Sequence, residues 1–252
     1  MSPATTTQLS NNGTEAAPYM FKIHDWGSEW KRLMSVSRAI HAASTYPKAE
    51  VIAADKTDLP PRPLPSNLKF HKLNIMEPFP FEPESFDVIH IRLVLFHLPN
   101  PPNVIRRVIE LLKPGGWLLL EDLSMPTYDA SSGPAQHEFR RVRYNWMVAQ
   151  GLDPYISEHM AQILEESHAF RSVHTHKPYV CLNPVPEGDD PLAAFSRVHR
   201  VSVIKALGDT DITPELRAEG FTKELQEAWK AEMNDPSRKS VLPFYFAWAQ
   251  KA

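Results

Sequence analysis

Apolar residues fall into short runs separated by turn-formers, and their period changes along the chain. Val51-Ile52-Ala53-Ala54 is an apolar run closed by Asp55, the pattern of a buried parallel strand. Leu68 to Leu73 repeats it, ending at Asn74, as does Phe86 to Ile91, ending at Arg92. Trp117 to Leu120, ending at Glu121-Asp122, is a further such run. Between the last two, Asn103 to Leu112 places Val104, Val108, Leu111 and Leu112 on one helical face behind two prolines. Lys113-Pro114-Gly115-Gly116 then stops that helix.

Tyr19 to Ala43 reads as an earlier helix, with Trp26, Trp30, Leu33 and Met34 at spacings of three and four and Ser28 as a cap. Pro47 to Glu50 is a turn, and the proline-dense stretch Leu59 to Pro65 is a rigid connector that also contains a PxxP pattern. Beyond residue 134 helices are predicted over Ala135–Ala149, Ser157–His168, Asp190–Leu207 and Pro214–Asn234. A loose strand over Val173–Leu182 and an aromatic, buried last strand over Val241–Ala249 complete the pattern.

Strands alternating with helices predict an α/β fold, a mostly parallel sheet with helices on both faces and right-handed crossovers. Ligands of such sheets bind beyond the carboxyl ends of the strands. Asp55, Asn74, Arg92 and Glu121-Asp122 all end strands, so they should line one rim. This inference needs only the pattern.

Composition narrows the function. Net charge is −3, with acidic and basic residues spread along the chain, which gives no electrostatic footprint for nucleic acid and no basic membrane anchor. No apolar run of about 18 residues predicts a transmembrane helix. Residues 1–18 read as a disordered tail rather than a signal peptide, and residues 19–252 as a single domain with a helical substrate or lid insertion around 184–240. The one cysteine, Cys181, excludes an internal disulfide and suits a reducing compartment, hence a cytoplasmic location.

Three segments together carry a resemblance. Val51 to Asp55, then Phe79-Pro80-Phe81-Glu82-Pro83-Glu84-Ser85-Phe86-Asp87-Val88-Ile89-His90, then Leu111-Leu112-Lys113-Pro114-Gly115-Gly116-Trp117 to Asp122 resemble the second, fourth and fifth strand motifs of class I S-adenosylmethionine (SAM)-dependent methyltransferases, most closely the fungal secondary-metabolism type. The resemblance implies a Rossmann-like fold, SAM as cofactor and a small-molecule methyl acceptor. It implies Asp55 on the ribose hydroxyls, Asn74 and the backbone of Ile75 at the adenine, and Arg92 beside the methionine part. His97 is then a candidate base for an oxygen acceptor, and Glu121 a second catalytic candidate near the acceptor. Each has a plainer reading: a turn-former at Asp55, a surface arginine at Arg92, a helix-packing histidine at His97, a capping or solvated acid at Glu121. Tyr144, Trp146 and Met147 line either a lid or the core. Oxygen, nitrogen and carbon acceptors all stay open.

One part of the family pattern is missing. The resemblance implies a strand and a GxGxG-like loop about 20 to 25 residues before Asp55. That position is Leu33 to Arg38, and no glycine stands between Gly27 and Gly115. Ser35 and Ser37 could occupy the loop, but each carries a Cβ where backbone should touch cofactor. Alternatively, Glu29 to Leu33 resembles the helix before the first strand, and His41 to Pro47 the end of the helix after the loop. On that reading the first strand and its loop, about 30 to 40 residues, are absent, and the sheet has a gap between the second and fourth strands. The alternative function is therefore a catalytically inactive relative with a binding or regulatory role. A dinucleotide oxidoreductase, which also places an acid after the second strand, ranks last.

Overall fold

The structure, a computed structural model, describes residues 34–59, 61–184, 188 and 190–252. The expected tail over 1–18 and the first part of the helix over 19–43 lie outside the described residues. The rest of that helix is α1 (Met34–Thr45), which runs two residues further than its apolar periodicity indicated.

The strands follow the apolar runs. β1 (Val51–Asp55) pairs in parallel with β2 (Leu68–Lys72), Asp55 opposite Lys72. The proline-rich connector joins them, and the side chain of Asn67 fastens its end by donating to the carbonyls of Ala43, Tyr46 and Ala49. β3 (Phe86–Arg92) pairs in parallel with β4 (Leu112–Leu123) through α2 (Pro101–Leu111), with Arg92 opposite Glu121. Val104, Val108, Leu111 and Leu112, the face read from the sequence, are buried, and α2 buries Ile105 and Ile109 as well. β5 (Thr127–Tyr128), α3 (Pro134–Ala149), α4 (Ile156–Glu166), β6 (Phe170–His176), β7 (Tyr179–Cys181), α5 (Pro191–Gly208), α6 (Pro214–Ala218), α7 (Lys223–Asn234) and β8 (Ser240–Lys251) follow.

β8 is the antiparallel centre of the larger sheet. Phe246 pairs with both Glu121 of β4 and His176 of β6, and Val241 with both Thr127 of β5 and Cys181 of β7, so both its edges are covered. No residue of β8 is fully exposed on either face, which explains its near-continuous apolar run.

The sheet is mixed rather than mostly parallel, because β8 runs antiparallel to β4, β5, β6 and β7, and two elements also differ from expectation. The strand over 173–182 is two strands, because Lys177-Pro178 interrupts the ladder and proline has no N–H to donate. The helix over 214–234 is broken into α6 and α7 at Gly220, whose φ of +96° a helix does not allow.

The sheet is split. β1 and β2 form one sheet and β3, β4, β8 and β6 belong to another. Among the described residues no strand pairs with the second edge of β1 or of β3. Val88 of β3 is 56% exposed, the signature of an apolar strand residue lacking a neighbour. The smaller unit buries only Ala43, Ala53 and Leu68 as its core, whereas one continuous cluster spans α2 to β8. α1 leads directly into β1, so the glycine-loop position proposed for residues 33–38 is helical from Met34. The expected gap between the second and fourth strands is therefore present among the described residues.

Gly116 shows how closely β4 approaches β3. A Cβ there would meet the carbonyl oxygens of Lys113 at 2.9 Å, Asp87 at 3.1 Å and Phe86 at 3.2 Å. These are backbone atoms of the paired strand and the turn, and they cannot swing aside. Gly116→Ala should therefore destabilise the fold by about 1–3 kcal/mol, read as a lower denaturant midpoint with unchanged slope.

Candidate active site

The register of β3 against β4 puts Arg92 opposite Glu121 at the carboxyl rim. Arg92 Nε donates to Glu121 Oε1 at 2.8 Å. On the other oxygen, Oε2, the His90 ring and the Arg38 guanidinium from α1 each lie at 3.4 Å, ion-pair distance without hydrogen-bonding geometry. Glu121 is 2% exposed. Burial by itself pushes its carboxyl up, but His90, Arg92 and Arg38 together hold it below the ordinary glutamate value. A carboxylate so held is a weak proton acceptor at neutral pH and a strong anchor.

Asp122 serves the neighbouring turn. It is fully buried, and its Oδ2 accepts from Phe96 N at 3.1 Å while Oδ1 accepts from Leu123 N at 2.8 Å. Burial, opposed by these and the Leu95 and Val94 amides, lifts its pKa from 3.8 to about 7. The carboxyl thereby fixes the single helical turn Leu95–His97 at the end of β3. His97 is half-buried there, edge-on to Phe96, and borders a narrow cleft with Arg143, Trp146, Met147 and Leu152.

The proposed cofactor residues sit on the other sheet. Asp55 Oδ1 accepts from Thr57 N at 2.9 Å and Thr57 Oγ1 at 2.8 Å, and its Oδ2 has no partner among the described residues. Asn74 Oδ1 accepts from Met76 N, its Nδ2 donates to Glu77, and the Ile75 carbonyl accepts from Arg107. An acid with one oxygen open at a strand's carboxyl end fits a ribose diol, and Asn74-Ile75 beside it fits the adenine, so the residues suit the adenosine half of SAM. The described residues contain no glycine-rich turn for the methionine half. No hydrogen bond or ion pair among them joins Asp55 or Asn74 to Arg92 or Glu121; the Arg38–Glu121 pair links α1 to the second sheet.

Two residues were not singled out from the sequence. His199 of α5 stacks on Phe195, centroids 5.7 Å apart, and meets Phe244 edge-on at 5.0 Å. Its Nε2 is buried without a partner, and burial together with the Arg92 charge lowers its pKa to about 4, so it is neutral. It brings the helical insertion down to the rim. Arg143 lies on the buried stripe of α3 with Phe139, Val142, Trp146 and Met147. The signal was there, since a charged residue sits at core spacing, but periodicity does not say what it meets.

Beyond the carboxyl end of β4, an open cleft of about 210 Å³ is lined by residues of β5, β7 and the start of β8, among them Tyr128, Tyr179 and Lys239. Among the described residues no group of histidines, cysteines and acids could hold a metal ion, and no helix is long and apolar enough to cross a membrane.

Residues 23–168 match the Methyltransferase domain family. The chain is 39% identical over 220 residues to Methyltransferase str2 of Strobilurus tenacellus, covering 85% of this chain and 78% of that protein. It is 40% identical over 181 residues to Methyltransferase str3 of the same fungus, covering 70% of this chain and 64% of that protein. Secondary metabolism regulator LAE1 of Cochliobolus heterostrophus is 28% identical over 138 residues, covering 52% of this chain and 45% of its own. Among solved structures, phosphoethanolamine N-methyltransferase 2 of Haemonchus contortus with bound SAM overlaps at a TM-score of 0.46 and 17% identity, covering 84% of this chain and 45% of that one. The sequence matches, together with the motifs of β1, β3 and β4, leave no room for the dinucleotide oxidoreductase: the chain belongs to the class I SAM-dependent methyltransferases.

Proposed function

We propose that this methyltransferase transfers the methyl group of SAM to a small-molecule acceptor in secondary metabolism. The observation that carries the reading is Asp55, an acid with one open oxygen at the carboxyl end of a parallel strand. SAM supplies an electrophilic methyl carbon on a sulfonium. Asp55, Asn74 and Ile75 would hold its adenosine, with Arg92 bordering the methionine part. His97, held by the Asp122 turn, takes the acceptor's proton; Glu121 acts by fixing Arg92 and His90 rather than by accepting a proton. The helices of the segment around 184–240 close over the acceptor, with His199 their point of contact with the rim. The small-molecule acceptor and the secondary-metabolism setting are supported by the similarity to the Strobilurus methyltransferases. The single free thiol of Cys181 supports a cytoplasmic location.

The test is calorimetric titration of SAM into the purified chain, with Asp55→Ala as control. Losing charge-assisted hydrogen bonds to the ribose, about 1.5–3 kcal/mol, should weaken binding on the order of 10- to 100-fold. A cooperatively folded chain that binds no SAM overturns the enzyme reading. It would favour instead the inactive relative, which the split sheet and the helical residues 34–38 support and which suits the likeness to LAE1.

A further inference from the structure

We infer that residues 19–33 dock as an amphipathic helix on the uncovered face of the sheet formed by β3, β4, β8 and β6. The segment that leads into α1 thereby supplies the layer this sheet lacks, and the face is an internal docking surface rather than a contact between copies.

The strand registers assemble that face row by row. Val88 stands opposite Trp117, and Leu119 opposite Trp248, which in turn stands opposite His174. At the carboxyl rim Glu121 stands opposite Phe246. Side chains alternate across a strand, so these residues share one side of the sheet. The residues between them, Ile91, Leu118, Leu120, Ala247 and Ala249, point the other way into the core shared with α2 and α4.

The first side is open. Val88, Trp117 and Leu119 are exposed, and Phe246 and Trp248 are half-buried. α5 reaches this side at Phe244, through Phe195 and His199, beyond the last of these rows. A sheet buries its apolar faces against further layers, and a contiguous patch of exposed apolar residues marks a place where something packs.

Size favours a tethered occupant. Four strands about 4.8 Å apart, rising about 3.3 Å per residue over the rows from Val88 to Arg92, make a face on the order of 300 Å². Two copies meeting there cover about 600 Å² between them, below the roughly 1,000 Å² of a stable interface. A helix over residues 19–33 is about 22 Å long and about 10 Å wide, which matches the face. Being joined to α1, it needs little affinity of its own.

The segment fits in sequence and in position. Tyr19, Ile23, Trp26, Trp30 and Leu33 recur at spacings of four and three, the apolar stripe of one helix, with Ser28 and Arg32 on its opposite side. Tryptophans on that stripe suit the aromatic surface of Trp117, Trp248 and Phe246. The segment joins the described part of α1 at Met34, and one turn further on Arg38 lies 3.4 Å from Glu121, on this same face. The chain entering α1 thus arrives beside the rim row, and a turn at Leu33-Met34 lays the helix over Leu119 and Trp117.

Thiol labelling tests the docking in the full chain. A Cys181→Ser background removes the native thiol. There, Leu119→Cys should react with a maleimide at least tenfold more slowly than the same cysteine in a chain that also carries Trp26→Ser and Trp30→Ser. Glu165→Cys, at an exposed position of α4 behind the sheet, should react equally in both. A short bismaleimide should also join Trp30→Cys to Leu119→Cys within one chain, read by mass spectrometry at monomer mass, and should not join Trp30→Cys to Glu165→Cys. The cross-link leaves Trp26 in place, so it decides the matter if the double serine variant does not fold. Equal labelling of Leu119→Cys with and without the tryptophans overturns the proposal. So does a missing cross-link, or one found only between chains, which assigns the face to a second copy. Neither readout involves SAM, so a chain that fails to bind the cofactor leaves the docking intact, and a failed cross-link leaves the methyltransferase reading intact.

Discussion

Glu121→Ala should cost about 3–5 kcal/mol of stability, the range for breaking a buried ion pair by removing one partner. The truncation leaves Arg92, itself only 10% exposed at its side chain, without its acceptor, and leaves His90 and Arg38 without the shared anion. Urea unfolding measures the loss. The same partners make the contribution depend on pH. Because the folded carboxyl titrates below its unfolded value, its stabilisation is present above the ordinary glutamate pKa and is lost as pH falls through the lowered folded one. Arg92→Met combined with Glu121→Leu should recover most of the stability, since removing both charges leaves neither one buried and unpaired. A Glu121→Ala variant that keeps its full stability yet stops methyl transfer would make Glu121 a chemical participant and overturn its role as an anchor.

Asp122→Asn should remove a pH dependence of opposite sign. Folded Asp122 titrates at about 7 against 3.8, so the fold disfavours its charged form. The group's stabilisation is fully present below pH 3.8 and is lost as pH rises through 7. At about 1.4 kcal/mol per pKa unit the whole window is worth about 4 kcal/mol. Urea unfolding at pH 5 and pH 8 should show wild type losing more stability over that interval than Asp122→Asn. The variant should start about 1–3 kcal/mol lower, because its amide nitrogen must face one of the two amides that Asp122 accepts, Phe96 N or Leu123 N. A variant with the wild-type slope would show that Asp122 stays charged in the fold. Since this carboxyl holds the Leu95–His97 turn, the variant should also loosen His97.

Much of this was legible in the chain itself. Apolar runs located β1, β3 and β4, and each strand ends on the polar residue that stands at the rim, where the chain leaves the sheet. The period of α2 named its buried face, and the absence of glycine from residue 28 to 114 foretold the split between β1 and β3. Local chemistry also explains the two misjudged elements: Pro178 and Gly220 were in plain view, but a hydrophobic period crosses a single interrupting residue without registering it.

What the tertiary structure decided was which side chains meet. Arg38, His90, Arg92 and Glu121 come from a helix and two strands and become one cluster only when β3 pairs with β4 and α1 packs near the rim. Arg143 had the spacing of a core residue, and the fold alone set its guanidinium over the Phe96 ring with its Nε unpartnered. His199 packs against Phe244 of β8 from a helix distant from β3 and β4 in sequence. The physical reason is common to all three. Periodicity reports the solvent boundary of a single element, whereas charge pairing and desolvation depend on neighbours brought from distant positions, about which a local pattern carries no information.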